Sequence, residues 1–181
     1  CGESFLNRAE ARNAVALLSL LQRYILGQED SGPRSIGVIC AYRAQAQHIN
    51  SLVANNYHAD PSLTLKVSTV DASQGQECDI ILICTTRTLP GKRVSHLYDN
   101  KRTNVALSRA RHHVFILGNI EGLREGGDPW QSVLKASTCF PSFGQLKRHV
   151  EDRSGAKGAP QSTRHPPNPN EDSYIAEMMG L

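Results

Sequence analysis

The chain has 181 residues, enough for one sizeable core and a tail, and its net charge of +3 permits a polyanionic partner without marking the chain as a dedicated nucleic-acid sleeve. The five cysteines, Cys1, Cys40, Cys78, Cys84 and Cys139, are odd in number and widely spaced, with no C-x-x-C pair; this argues against a disulfide framework and a metal site and fits a reducing compartment, nuclear or cytoplasmic. No apolar run approaches the ~20 residues of a membrane span and no signal-peptide pattern opens the chain, so a soluble protein is expected.

In chain order, Asn7 is an N-cap candidate with Glu10 three residues on, the capping geometry that satisfies orphan amides at a helix start. Ala11, Ala14, Val15, Leu18, Leu21 and Ile25 follow at helical spacing, and Gly27 is a plausible C-cap. The chain opens on Cys1 directly ahead of this helix, so it reads as a fragment with something upstream. After a Gly/Pro/Ser break, Ile36–Ala41 is a short apolar run suited to a strand buried on both faces. Cys40 within it, like Cys84 later, behaves as a small hydrophobe.

A helix from about Ala44 to Asn55 follows, then strands at Leu65–Thr69 and Asp79–Thr86, a helix near Thr103–Ala110 and a strand at His113–Gly118. The alternation, with strands apolar on nearly every residue, predicts an α/β fold whose mainly parallel sheet is covered by helices on both faces. A last helix pair is expected at Trp130–Ala136 and Phe143–Glu151, closing a domain of residues 1–151. Residues 152–181 read as a Pro/Gly-rich, disordered tail, with Glu171–Met179 a frayed end or a short helical docking patch.

Two segments carry chemistry. The first, VSTVDASQGQECDIILI (Val67–Ile83), is a strand that stops at a small-residue polar loop and resumes as a strand. Such loops collect ligands beyond the carboxyl ends of strands in open α/β sheets, which is where this one should sit. Gly75 lets backbone approach a phosphate or ribose, and Gln74 and Glu77 supply polar contacts beside it. Taken alone, the loop is as well explained by an ordinary surface turn.

The second, DNKRTNVALSRARHHVFILGN (Asp99–Asn119), sets Arg102, Arg109 and Arg111 around a helix that leads into an apolar strand. An Arg held at a domain edge can reach the γ-phosphate of a nucleotide bound mostly by a neighbour, because its planar fork pairs bidentately with phosphate oxygens. A solvated basic face is the plainer explanation of three arginines by themselves. Asp71 and Asp79 flank the first loop; loop hydrogen bonding and a strand edge explain them better than a paired-carboxylate site.

Together, TVDASQGQE followed by RTNVALSRAR closely resembles motifs V and VI of superfamily 1 helicases, in the branch of the nonsense-mediated-decay helicase and senataxin. SFLNRAEA (Ser4–Ala11) and IGVICAYRAQ (Ile36–Gln45) resemble elements that precede motif V there, and the four matches in order cover residues 1 to about 137. The resemblance implies a RecA-like fold of the P-loop NTPase type, the second helicase lobe. Arg109 matches the γ-phosphate-sensing finger, and Glu77 the motif V acid near the ribose. Gln74 and Gly75 match the loop linking nucleotide and nucleic-acid contacts. Ser68 and Thr69 match positions near the nucleic-acid backbone, and Tyr42 and Gln45 belong to a signature placed with them. Arg102 and Arg111 are structural or hold the finger.

Departures from the common pattern, Cys40-Ala41 for Thr-Pro, Ser73 for Phe and Ser108 for Thr, remove no phosphate-directed group. No G-x-x-x-x-G-K-[ST] loop and no Walker B element are present. ATP with Mg is therefore expected to be held mainly by a missing Walker-containing lobe, the chain alone to be inactive, and single-stranded RNA or DNA to be the second partner. The alternatives are a catalytically silent nucleic-acid-binding or scaffold module, which needs neither Arg109 nor Glu77, and a docking role for the tail.

Overall fold

A computed structural model describes residues 4–27, 34–86, 99–153 and 174–179. Its first helix, α1 (Arg8–Leu26), starts where Asn7 turns extended and its side-chain oxygen accepts the Glu10 amide at 3.0 Å. The helix buries the stripe Ala11, Ala14, Leu17, Leu18, Leu21 and Ile25, and Gly27 closes it by donating its N–H to the Arg23 carbonyl at 3.2 Å. Glu10, read as a local capping partner, is unexpectedly buried on the same helix.

The remaining elements alternate. They are β1 (Ser35–Cys40), α2 (Arg43–Asn56), β2 (Thr64–Thr69), a short 3-10 turn at Asp71–Ser73, β3 (Cys78–Cys84), α3 (Asn100–Leu107) and β4 (Ala110–Gly118). Then come α4 (Ile120–Glu125), α5 (Trp130–Lys135), β5 (Thr138–Phe140), α6 (Phe143–Arg153) and β6 (Tyr174–Met179). The strands β1 to β4 and the helices α1, α2, α3, α5 and α6 match the expected segments to within a few residues, whereas α4, β5 and the 3-10 turn had no expectation behind them. The third helix starts three residues before its expected Thr103, because Asp99 accepts the Lys101 amide at 2.9 Å and caps it there.

The sheet order is β2-β1-β3-β4-β6-β5, with β2, β1, β3 and β4 mutually parallel and β6 antiparallel to both neighbours. Tyr174–Met179, expected as a frayed end or a helix, is thus a strand in the sheet interior. Pairing with the otherwise open edge of β4 overrides its weak local preference. The expected disorder at 154–173 lies outside the described residues.

Side chains alternate between two apolar layers, as the period of a strand requires. Ile36, Val38, Cys40, Ile80, Leu82, Cys84, Phe115 and Leu117 pack under α1, α2 and α6. Ile39, Ile81, Ile83, Val114 and Ile116 pack under α3, α4 and α5, where Trp130 is fully buried. Helices cover both faces, the fold is α/β, and the architecture is that of a RecA-like helicase domain. Of the three buried cysteines among the described residues, Cys40 and Cys84 sit in the first layer and Cys78 in the second, and the Cys40 hydrogen bond and burial push the Cys84 thiol up. No described helix is long and apolar enough to cross a membrane.

The pairing registers locate the loops. Cys40 lies beside Thr69 and Cys84, and Cys84 beside Leu117, so these residues form the carboxyl end of the parallel strands. Cys78 lies beside Ala110 at the amino end. Because β2 and β3 are parallel, the chain from Val70 to Glu77 must travel from one end of the sheet to the other. The six steps of β3 make that distance about 20 Å at ~3.3 Å per residue.

Candidate functional site

The travelling loop divides the candidate residues between two edges. Thr69, at the carboxyl edge, accepts the Ala72 amide on its hydroxyl at 3.4 Å, and the buried Ser73 hydroxyl donates to the Val70 carbonyl at 2.7 Å. Both bonds hold the 3-10 turn. Ser68 and Thr69 are half-buried at this edge. The expectation that the whole loop lies beyond the carboxyl ends is corrected here: only its first half does.

Its second half, Gln74 to Glu77, is exposed. Gly75 has φ of +78°, and a Cβ built there would meet nothing within 4 Å. The left-handed backbone conformation, not crowding, is what calls for glycine at this position.

The second half ends at the amino edge beside the finger candidate. The Cys78 amide donates to the Arg109 carbonyl at 2.9 Å, so Arg109 is anchored next to Glu77 by its own main chain. The half-buried Arg109 side chain folds back over the end of α3. Its Nε donates to the Val105 carbonyl at 3.1 Å and its Nη2 to the Ser108 hydroxyl at 3.1 Å. These bonds fix one side of the guanidinium, while Nη1 has no partner among the described residues. Ser108, which stands where Thr is common, keeps the hydroxyl that this contact needs.

The flanking arginines tie the loop down. Arg102 meets Asp71 through two contacts, Nε at 3.2 Å and Nη2 at 3.4 Å, and Arg111 meets Glu77 at 3.3 Å and Asp79 at 3.8 Å. Glu77 and Arg111 keep more than half of their surface, at 53% and 57% exposed, so this pair stays available to a ligand.

Asp79 is a clasp. One of its oxygens accepts the Arg34 amide, the Ser35 amide and the Ser35 hydroxyl at 2.9, 2.9 and 2.7 Å. Partial burial opposes its charge, but these bonds and Arg111 outweigh it and hold the carboxyl below its ordinary range. The strand-edge role read from the sequence is the one seen.

Two candidates move inside. Gln45 is fully buried: its Oε1 accepts the Asn7 amide at 2.8 Å, and its Nε2 donates to the Asn7 carbonyl at 3.1 Å and to Glu10 at 3.2 Å. Tyr42 is 4% exposed, its ring edge-on to Phe5 at 5.2 Å. Both are buried among their own chain's residues, where the sequence reading expected contacts near a nucleic-acid backbone. Their signature serves packing at the carboxyl edge.

Sequence reasoning missed the group that joins them. Glu10 is 1% exposed, and its two oxygens both accept the Thr86 amide, at 3.0 and 2.9 Å. Burial pushes its pKa from 4.5 up to about 8, against hydrogen bonds from Thr86, Thr85 and Gln45 that favour the charged form. The helical period contained the signal, since Glu10 and Ala14 share the face of Leu17 and Leu21.

Comparison with known proteins identifies the family. The AAA domain family matches residues 2–121. The ATP-dependent helicase NAM7 of Saccharomyces cerevisiae is 37% identical over 124 residues, covering 67% of this chain and 12% of its own. Helicase sen1 of Schizosaccharomyces pombe is 37% identical over 99 residues, covering 55% of this chain and 6% of its own. The 5'-3' DNA helicase ZGRF1 of Mus musculus is 33% identical over 166 residues, covering 83% and 8%. The chain thus spans about a tenth of the length of the curated relatives it matches. Among solved structures, the plantazolicin methyltransferase BpumL covers 96% of this chain and 86% of its own at a TM-score of 0.46 and 9% identity, a likeness too low to bear on function. The match over two thirds of the chain and the relatives it shares place the chain in the AAA domain family, among superfamily 1 helicases akin to the nonsense-mediated-decay helicase and senataxin.

Proposed function

We propose that this chain is the second motor lobe of an ATP-dependent helicase, contributing one wall of a nucleotide cleft and part of a single-strand track. One observation carries the reading: the Cys78–Arg109 main-chain bond holds the finger candidate beside Glu77 at one edge, while the same loop begins at Thr69 on the opposite edge. A single loop thereby connects the place where a nucleotide is sensed with the place where a strand is gripped. RNA and DNA both suit a grip of this kind, and the protein then works in the nucleus or the cytoplasm.

The residues fit half of a nucleotide site. An exposed loop with a left-handed glycine, an accessible carboxylate at Glu77 and a guanidinium with one open side are present, whereas a phosphate cradle and its Lys are absent from the sequence. ATP with Mg, held mainly by a Walker-containing lobe, supplies the phosphoryl transfer to water. Glu77 then accepts the ribose hydroxyls, aided by Gln74 and Gly75 at the loop. Arg109 swings its open side to the γ-phosphate oxygens and spreads the charge that develops there. Arg111, relieved of Glu77, keeps Asp79 and so preserves the strand edge during closure. Alone, the chain lacks the cradle and turns over negligibly.

At the other edge, Ser68 and Thr69 offer hydroxyls to a phosphodiester backbone without reading bases, so binding is sequence-tolerant and salt-dependent. Replacing Arg109 by Ala in the protein that carries both lobes should lower the strand-stimulated ATPase rate by about 10³-fold or more. Turnover equal to wild type, measured by phosphate release, would remove Arg109 from the finger role and with it the reading.

A further inference from the structure

The carboxyl edge is stitched across four strands by backbone bonds that continue beyond the strands themselves. The Val70 amide donates to Cys40 at 3.3 Å, the Ala41 amide to Cys84 at 3.1 Å and the Thr85 amide to Leu117 at 3.1 Å. The Thr85 hydroxyl also donates to the Leu117 carbonyl, at 2.8 Å. The next residue breaks the pattern: Thr86 has φ of +65°, which points its amide away from any strand partner. That buried amide needs an acceptor, and Glu10 supplies both carboxylate oxygens from the first turn of α1.

The same carboxylate receives Gln45 from the start of α2, and Gln45 closes on the main chain of Asn7. Asn7 in turn donates its side-chain amide to the Thr86 carbonyl at 3.4 Å. Four residues from three separated segments thus form a closed ring of hydrogen bonds. None of the four ring residues is a cation, so the carboxyl group is held inside the ring by hydrogen bonds. Local stability alone is a poor reason for such an arrangement, since an apolar residue would serve the core as well.

We propose that Glu10 is a positioning residue for the strand-facing edge. By holding the left-handed turn at Thr86 and, through Gln45, the first turns of α1 and α2, it fixes as one block the rim on which Ser68 and Thr69 stand. This deepens the proposed helicase reading and rests on it for the identity of the ligand, a phosphodiester strand. The titratable group in electrostatic contact with Glu10 is the buried thiol of Cys84, which is itself hydrogen-bonded to the buried thiol of Cys40. Neither adds positive charge to the ring.

The test uses the full chain and its Glu10→Gln and Glu10→Asp variants, with amide exchange at Thr86 and anisotropy of labelled oligo-dT and oligo-rU. Glu10→Gln keeps the volume but turns one acceptor into a donor facing the Thr86 amide. The expected results are exchange at Thr86 faster by about 100-fold and oligonucleotide affinity lower by about tenfold, with the melting profile still cooperative. A shallower salt dependence should accompany the loss, because fewer phosphates are engaged together. Glu10→Asp, which keeps the carboxyl group on a shorter arm, should recover part of both.

Faster exchange at Thr86 with oligonucleotide affinity unchanged would show that the ring is only structural and overturn the proposal. Unchanged exchange would overturn it too, by removing the grip itself. A wild-type chain that binds neither oligonucleotide would instead overturn the parent reading of this edge. Because exchange at Thr86 is read without ligand, the two kinds of failure are told apart.

Discussion

At the carboxyl end of the sheet, Glu10 and Gln45 are buried with their polar atoms met by partners distant in sequence, and Tyr42 is buried with its ring edge-on to Phe5. At the amino end, Glu77 and Arg111 meet at 3.3 Å with more than half of each side chain in solvent, and the Arg109 fork is tied on one side only. One edge is therefore finished by folding, while the other keeps charges that gain their full strength only when a second surface excludes water from them. A rigid edge opposite an unfinished one is what the proposed motor lobe would use to pass motion from a closing cleft to a fixed track.

The largest expected break in that contrast is with pH. A folded-state pKa for Glu10 near 8, above its ordinary 4.5, means the folded chain binds a proton more tightly than the unfolded one. The associated stability is fully present below about 4.5 and is lost as pH rises through 8, with a slope of at most about 1.4 kcal/mol per pH unit. Asp79 works in the opposite sense and in another window, because its depressed pKa contributes stability that is lost only as pH falls below about 3.8. Urea denaturation of the chain at several pH values from 5 to 9 should show stability falling, and Glu10→Gln should flatten the slope. A wild-type profile with no downward trend would place an ionised Glu10 in the ring.

A smaller effect is expected at Gly118, where a Cβ would stand 2.1 Å from the Thr85 hydroxyl and 3.2 Å from its Cβ. The Thr85 hydroxyl is engaged with Leu117, so it cannot turn away without breaking a buried bond. Gly118→Ala should cost about 2 kcal/mol in urea denaturation. Gly75→Ala meets no atoms and strains only the backbone, so it should cost about 1 kcal/mol. Equal costs at the two glycines would blur the distinction between a packed rim and an open loop.

How far these edges were legible in the sequence follows from what each one depends on. The layered sheet was readable because β1 and β3 are apolar on successive residues, and residues such as Ile36, Val38 and Ile39 can only be buried on both faces. The Arg109 neighbourhood was accessible through the motif order, which survives in the chain as a string. The place of the loop was only half right, because a sequence does not show that Val70–Glu77 runs the length of the sheet. Gln45 and Tyr42 entered the site only through the resemblance of IGVICAYRAQ to a family signature, which does not show that Asn7 and Phe5 meet them inside the fold. Tyr174–Met179 was missed for a related reason: its strand exists through the β4 partner.

The smallest expected effect is the most informative about the unfinished edge. Arg111→Ala removes an exposed pair with Glu77 and a longer contact with Asp79, so stability should change by no more than about 0.5 kcal/mol. Glu77 then loses its resting partner while its own accessibility rises. If Arg111 competes with a nucleotide for Glu77, the two-lobe protein carrying Arg111→Ala should bind a non-hydrolysable ATP analogue about as well as wild type or slightly better. If Arg111 instead orients Glu77 towards the cleft, the affinity should drop several-fold at unchanged stability. Calorimetric titration alongside urea denaturation separates these outcomes. The exposure of the pair favours competition, since a contact made in solvent is readily exchanged for one made in a closed cleft.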